Sequence, residues 1–163
     1  MTLPAEKPTH PVASNDASWM EIALQLARDG AAAGEVPVAA IVVKDGEILA
    51  RAHNRNLMDA DPTAHAEILA LRQAAARVGN RRLIGAMLFA TIEPCAMCAG
   101  AMVHARLSRL IYGAGDPKAG AAGSVLQVIN HPRLNHRMEV TSGVLADKCS
   151  ELLQEFFRTK RSL

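Results

Sequence analysis

The apolar positions of this chain change period along its length, and each change marks an element. Ser18-Trp19-Met20-Glu21 has the S-x-x-E spacing of a capping box, and Ile22, Ala23, Leu26 and Ala27 then recur at helical spacing. This predicts a first helix that begins at Ser18 and fades between Gly30 and Gly34. Val38 to Val43 is a continuous β-branched run; Asp45-Gly46 follows, then a second run to about Ala52, which together signal a hairpin. Thr63 is placed to cap a second helix with an alanine-rich body to about Val78, ended by Gly79 and Asn80. Ala86 to Ile92 reads as a buried strand, Pro94 opens a third helix to about Ala105, and Leu107 to Tyr112 is a fourth strand. A glycine-rich loop from Gly113 to Gly123 precedes a last strand over Glu139 to Val144. Ala146 to about Thr159 is the closing helix, striped by Leu152, Leu153, Phe156 and Phe157.

A hairpin followed by strands that alternate with helices implies an α/β sandwich on a mixed sheet, with parallel pairing favoured in the strand–helix–strand units. At 163 residues the chain is the size of one domain. Residues 1–15, with Pro4, Pro8 and Pro11, read as a flexible tail, and 16–163 as the single folded unit. Half of the residues are hydrophobic, which excludes wholesale disorder. Three cysteines exclude a disulfide framework, and no apolar run reaches membrane-spanning length, so a reducing cytoplasm is expected. The formal charge of +2 is too weak to mark a nucleic-acid binder alone, but it is uneven: residues 1–81 carry −2 and residues 82–163 carry +4.

Two strings carry candidate chemistry: His65-Ala66-Glu67 and Pro94-Cys95-Ala96-Met97-Cys98. Cysteines three apart share one helix face, and a helix N-terminus favours thiolate over thiol. With His65 they make three ligands for a zinc ion, a number that leaves an open position. Glu67, two residues from a ligand, is placed to move protons between water and a substrate nitrogen. Two other readings stand beside this one. Cys95 and Cys98 could be a redox pair, although Met97 is bulky for that role. A closed structural zinc would recruit Cys149, His104, His131 or His136 as a fourth ligand, and would leave Glu67 without a task. Cys149 is expected to be a small buried core residue, and His10 lies in the tail.

H-x-E followed by P-C-x-x-C is a zinc deaminase signature. Around it stand Glu35-Val36-Pro37-Val38, Asn54-Arg55, Asp61-Pro62-Thr63-Ala64, Glu93-Pro94, Ala99-Gly100-Ala101, Gly120-Ala121-Ala122-Gly123-Ser124 and Asn135-His136-Arg137. In order and spacing this set resembles the bacterial tRNA-specific adenosine deaminases, over about residues 18–161. Ala39 and His53 depart from the family's common residues. The resemblance implies a three-layer α/β/α sandwich with a five-stranded mixed sheet, the cytidine deaminase-like fold. It also implies one zinc per subunit on His65, Cys95 and Cys98, with Glu67 as proton shuttle, and a homodimer with its active site near the interface. Asn54 matches a residue that holds the flipped nucleotide, and Val36 and Pro37 match the edge of the base pocket. Asp116, Lys118, Asn135, His136, Arg137 and Phe157 match positions that contact the anticodon arm, although Phe157 could equally be core and Asp116-Pro117 a turn.

The expected reaction is hydrolysis of adenosine to inosine at the wobble position of a tRNA anticodon, with an arginine tRNA of A-C-G anticodon as the family's substrate. Two rivals share the metal strings. One is a deaminase of a free base or nucleoside such as guanine or cytosine; the other is a non-catalytic, zinc-stabilised RNA-binding module.

Overall fold

The computed structural model describes residues 13 and 15–161. The expectations for the first fifteen residues lie outside that range, apart from Ala13 and Asn15. The described chain runs α1 (Asp16–Ala32), β1 (Ala39–Lys44), β2 (Glu47–His53), α2 (Ala66–Val78), β3 (Met87–Ile92), α3 (Ala96–Ala105), β4 (Arg109–Ala114), β5 (Glu139–Thr141) and α4 (Ala146–Arg161). One five-stranded sheet has the order β2-β1-β3-β4-β5. β1 pairs antiparallel with both β2 and β3, whereas β3–β4 and β4–β5 are parallel. Asp45 and Gly46 take φ of 51° and 76°, the left-handed pair that a two-residue hairpin turn requires.

Side-chain alternation splits the core into two sheets of contacts. Ala40 and Val42 of β1, Leu88 and Ala90 of β3, and Leu110 and Tyr112 of β4 face α2 and α3, packing with Ala70, Ala74, Ala99 and Met102. Ile41, Val43, Phe89 and Ile111 face the other way, onto Met20, Ala23 and Leu24 of α1 and Cys149 of α4. The result is the expected α/β/α sandwich. Cys149 is a buried core residue, as its helical setting implied, and its sulfur sits over Gly113, where any side chain would collide with it.

Six sequence expectations need correction, two of them at element ends: the last strand stops at Thr141 rather than Val144, and the third helix starts at Ala96, with Pro94 ahead of its N-cap Cys95. The first helix starts at Asp16, with Asn15 as its N-cap, so Ser18 and Glu21 lie inside it and form no capping box. The second helix starts at Ala66 rather than after Thr63, whose amide and hydroxyl both donate to Asp61 in a turn. The fourth strand is Arg109–Ala114, so Gly113 belongs to the sheet and not to the loop. β3 also adjoins β1 rather than β2, because the crossover through α2 passes over the hairpin partner, so that pairing is antiparallel.

The early start of α1 has a cause that local spacing does not show. Asp16 is 1% exposed and accepts from both terminal nitrogens of Arg109 at 2.7 Å, across 93 residues of sequence. Arg109 also donates to Thr141, so one ion pair ties α1 to β4 and β5. Burial by itself would raise the Asp16 carboxyl, but hydrogen bonds from Arg109 and the Ala13 amide outweigh it and hold the group below its ordinary value. The stability this confers is present above the ordinary carboxyl range and is lost as pH falls through the depressed folded-state value. Asp16→Ala removes one partner of a buried pair and is expected to cost about 3–5 kcal/mol. Urea unfolding at neutral pH checks the cost, and the acid limb of stability should be shallower in the variant.

Candidate active site

The topology brings four chain segments to one end of the sheet. β1 runs antiparallel to β2 and β3, so the start of β1 lies beside the ends of its two neighbours. The N-termini of α2 and α3 open at that same end, immediately after the segments leaving β2 and β3. His65 is the N-cap residue of α2 and Cys95 that of α3, both with extended backbone (ψ of 148° and 176°) that turns the side chain across the helix mouth. Cys98 follows one turn later and is fully buried.

These three side chains converge. His65 Nδ1 lies 3.6 Å from Cys95 Sγ and 3.4 Å from Cys98 Sγ, and the three donor atoms are all within 4.8 Å of one another. Among the described residues this is the one such cluster of metal-ligating groups. Cys149, His104, His131 and His136 are not part of it, so the closed four-ligand site gains no support. The two sulfurs differ sharply in acidity. Hydrogen bonds from Cys98 and His65 draw Cys95 down to about 3, whereas its bond to Cys95, together with burial, pushes Cys98 well above the ordinary thiol range. His65 is raised, first by its hydrogen bond to Cys95 and then by the charge of Glu67.

Glu67 stands beside the cluster in the first turn of α2, 3% exposed. Its Oε1 is buried and accepts no hydrogen bond, and burial raises its carboxyl above the ordinary range. An orphaned carboxylate oxygen next to two sulfurs and an imidazole is what a three-ligand metal site with an adjacent proton carrier requires. The donor set therefore fits a zinc ion.

A cleft of about 380 Å³ opens over this cluster, lined by Val36, Val38, Asn54, His65, Glu67, Ile92, Glu93, Cys95, Asp116, Lys118, Ala119, Leu153 and Phe157. Five of the residues proposed from sequence as substrate or RNA contacts thus line the same cleft as His65, Glu67 and Cys95: Val36, Asn54, Asp116, Lys118 and Phe157. Pro37 is not among the lining residues. Asn54 does local work as well, since its Oδ1 accepts from the Ala66 amide at 2.8 Å and so caps α2 from a distant position, the task that Thr63 was expected to perform. Asp116 both lines the cleft and forms a turn, its Oδ1 accepting from the amides of Lys118 and Ala119. Phe157 is 47% exposed and is not core. His136 and Arg137 lie outside the lining: His136 Nε2 pairs with the Leu107 carbonyl at 2.6 Å, and Arg137 donates to the carbonyls of His131 and Pro132. Asn135 does not line the cleft either.

Two buried glutamates at this end, Glu35 and Glu93, entered the sequence reading only as letters of the matched strings, with no role of their own. Glu35 accepts from the Met58 amide at 2.6 Å, holding the loop between β2 and α2. Glu93, just past β3, accepts from the amides of Asp116, Ala122 and Ser124 and from the Ser124 hydroxyl. The available signal was a charged residue closing an apolar strand, Ala90-Thr91-Ile92-Glu93.

Comparison with known proteins agrees with this architecture. The chain matches the MafB19-like deaminase family over residues 14–161, which together with the fold and the His/Cys/Cys cluster defines a deaminase. Its relatives include the tRNA-specific adenosine deaminase of Haemophilus influenzae, 47% identical over 147 residues (90% of this chain, 85% of the relative). The tRNA-specific adenosine deaminase of Bacillus subtilis is 43% identical over 148 residues, covering 91% of this chain and 92% of that one. The chain belongs to the tRNA-specific adenosine deaminase family. A solved structure from work on A-to-I editing by tRNA deaminases at the wobble position superposes with a TM-score of 0.80 at 44% identity, covering 83% of this chain and 99% of that one. The guanine deaminase of Nitrosomonas europaea shares the fold at a TM-score of 0.76 but only 27% identity, over 94% of this chain and 89% of that one.

Proposed function

We propose that this protein hydrolyses adenosine to inosine at the wobble position of a tRNA anticodon, with an arginine tRNA of A-C-G anticodon as substrate. The observation that carries the chemistry is the orphaned Glu67 oxygen beside His65, Cys95 and Cys98 at the floor of an open cleft. The relatives at 43–47% identity carry the choice of tRNA over a free base.

His65, Cys95 and Cys98 would hold one zinc ion per subunit. A zinc ion bound there would supply Lewis acidity that activates water at neutral pH. Glu67 takes a proton from the attacking water and delivers it to purine N1. It then takes the remaining proton from the oxygen newly bonded to C6 and passes it to the amino group, so that the C6 carbonyl forms as the C6–N bond breaks and ammonia leaves. Asn54, fixed by its bond to Ala66, presents its amide to the nucleotide, and Val36 forms an apolar wall of the cleft, with Pro37 next to it in the chain as a proposed edge of the base pocket. Asp116, Lys118 and Phe157 meet the neighbouring nucleotides, and Asn135, His136 and Arg137 the outer part of the arm. Unpaired anticodon bases suit such a cleft because extruding one does not break a duplex pair.

Exposed apolar side chains on segments flanking the site support a homodimer: Leu57, Met58, Met97, Val125 and Leu126 are each 36–67% exposed. Among the described residues no helix is long and apolar enough to cross a membrane; the tRNA substrate of the proposed reaction is what supports a cytoplasmic location.

The test is turnover of an anticodon-arm hairpin bearing a wobble adenosine, with free adenosine, guanine and cytidine run in parallel on the zinc-loaded protein. Inosine in the hairpin alone is expected. Turnover of guanine or cytidine alone would assign the site to a free-base or nucleoside deaminase, and no turnover with one tightly held zinc would make it a binding module. Because phosphate contacts contribute to affinity, hairpin binding should weaken as salt rises.

A further inference from the structure

We infer that Glu93 is a positioning residue for the deamination: its buried carboxylate clamps loop 115–124 against the turn that carries Cys95, and so fixes one wall of the substrate cleft. Glu93 is 1% exposed and lies two residues before Cys95. Both of its oxygens are engaged. Oε1 takes the Asp116 amide at 3.1 Å and the Ser124 hydroxyl; Oε2 takes the amides of Ala122 at 3.0 Å and Ser124 at 3.1 Å. A second tie runs beside it, from the Ala121 amide to the Pro94 carbonyl at 2.8 Å. Four donors from one loop converge on one carboxylate, and only a carboxylate can accept them all, since an amide would turn its NH₂ toward two of them.

The loop is shaped around this group. A methyl at Gly120 would fall on the Glu93 carboxyl and within 2.6 Å of the Asp116 carbonyl, so the position is glycine for space. Between the ends held by Glu93, the Asp116 side chain closes a tight turn by accepting from Lys118 and Ala119. Asp116, Lys118 and Ala119 are the three loop residues that line the cleft. The loop has no regular secondary structure of its own, apart from one isolated bridge between Ala122 and Gln127. Glu93 therefore acts on substrate through the loop, without supplying the proton that Glu67 moves.

This inference rests on the reading of that cleft as the tRNA site, and the experiment separates the two. Wild type, Glu93→Gln, Gly120→Ala and Ser124→Ala are compared for hairpin KM and kcat, zinc content, and amide hydrogen exchange at Asp116, Ala122 and Ser124. Losing charge-assisted bonds in Glu93→Gln should raise KM by about tenfold or more, with kcat within a factor of about three. Zinc should remain at one per chain, and exchange at the three amides should accelerate. Gly120→Ala should raise KM in the same way, and Ser124→Ala, which removes one donor of four, should raise it less. Unchanged KM and unchanged exchange in Glu93→Gln would overturn the inference, as would a fall in kcat with zinc loss at constant KM. Should Glu93→Gln fail to fold, a wild-type KM in both other variants would overturn it and a raised KM in both would support it. Failure of the wild type to deaminate the hairpin would instead overturn the tRNA reading, while amide exchange would still report the clamp.

Discussion

Glu67→Ala is expected to lower kcat on the anticodon hairpin by about 100- to 10,000-fold, the range that a positioned acid–base group contributes. Hairpin affinity and zinc content should stay near wild type, because Glu67 is not one of the three clustered donors. Stability should hold or rise. The side chain is 3% exposed, its Oε1 has no partner, and burial raises its carboxyl, so the fold bears a cost for keeping it. A buried, unpartnered carboxyl at the floor of the cleft is what the proposed proton-shuttle role of Glu67 requires. Single-turnover kinetics, filter binding and thermal unfolding together check all three expectations. Full activity in the variant would remove Glu67 from the mechanism.

The second large effect is expected at Cys98. Cys98→Ala leaves two donors, His65 and Cys95, and should abolish both tight zinc binding and turnover. Cys98 is fully buried against Ala99 and Met102, so the change also trims the core on the α2–α3 side of the sheet. Metal analysis separates the two consequences. Excess zinc should raise the Tm of the wild type by stabilising the folded state, by about 4 kcal/mol at a thousandfold excess over Kd, and should leave the Tm of Cys98→Ala unmoved. A chelator should likewise inactivate the wild type, with activity returning on added zinc. Zinc-independent turnover in Cys98→Ala would contradict the ligand assignment.

Much of this site was legible because its chemistry is encoded locally. His65-Ala66-Glu67 and Cys95-Ala96-Met97-Cys98 each fit within one helix start, so spacing alone placed the candidate ligands and the candidate proton carrier at two helix mouths. That the two mouths meet was implied by the family resemblance, and it is the antiparallel β1–β3 pairing and the crossover of α2 that bring them together. The sandwich was legible for a similar reason: runs such as Val38 to Val43 and Ala86 to Ile92 carry strand patterning strong enough to survive any context. Helix starts were not. Asp16 opens α1 because of an arginine 93 residues away, and α2 is capped by Asn54 rather than by its neighbour Thr63. Such long-range polar partners leave no periodic trace. Glu93 escaped for the same reason, since a loop of glycines and alanines does not announce that its amides point at one buried carboxylate. Asn135, His136 and Arg137 were suggested by resemblance alone, and the fold places them on a loop outside the cleft lining of their own chain.

The most direct measurement is the position of inosine in a full-length arginine tRNA transcript with an A-C-G anticodon, treated with the zinc-loaded protein and read by sequencing. The wobble adenosine alone should be converted, with one ammonia released per inosine, and Glu67→Ala should convert none. An unmodified transcript alongside rapid turnover of free guanine would contradict the proposed function.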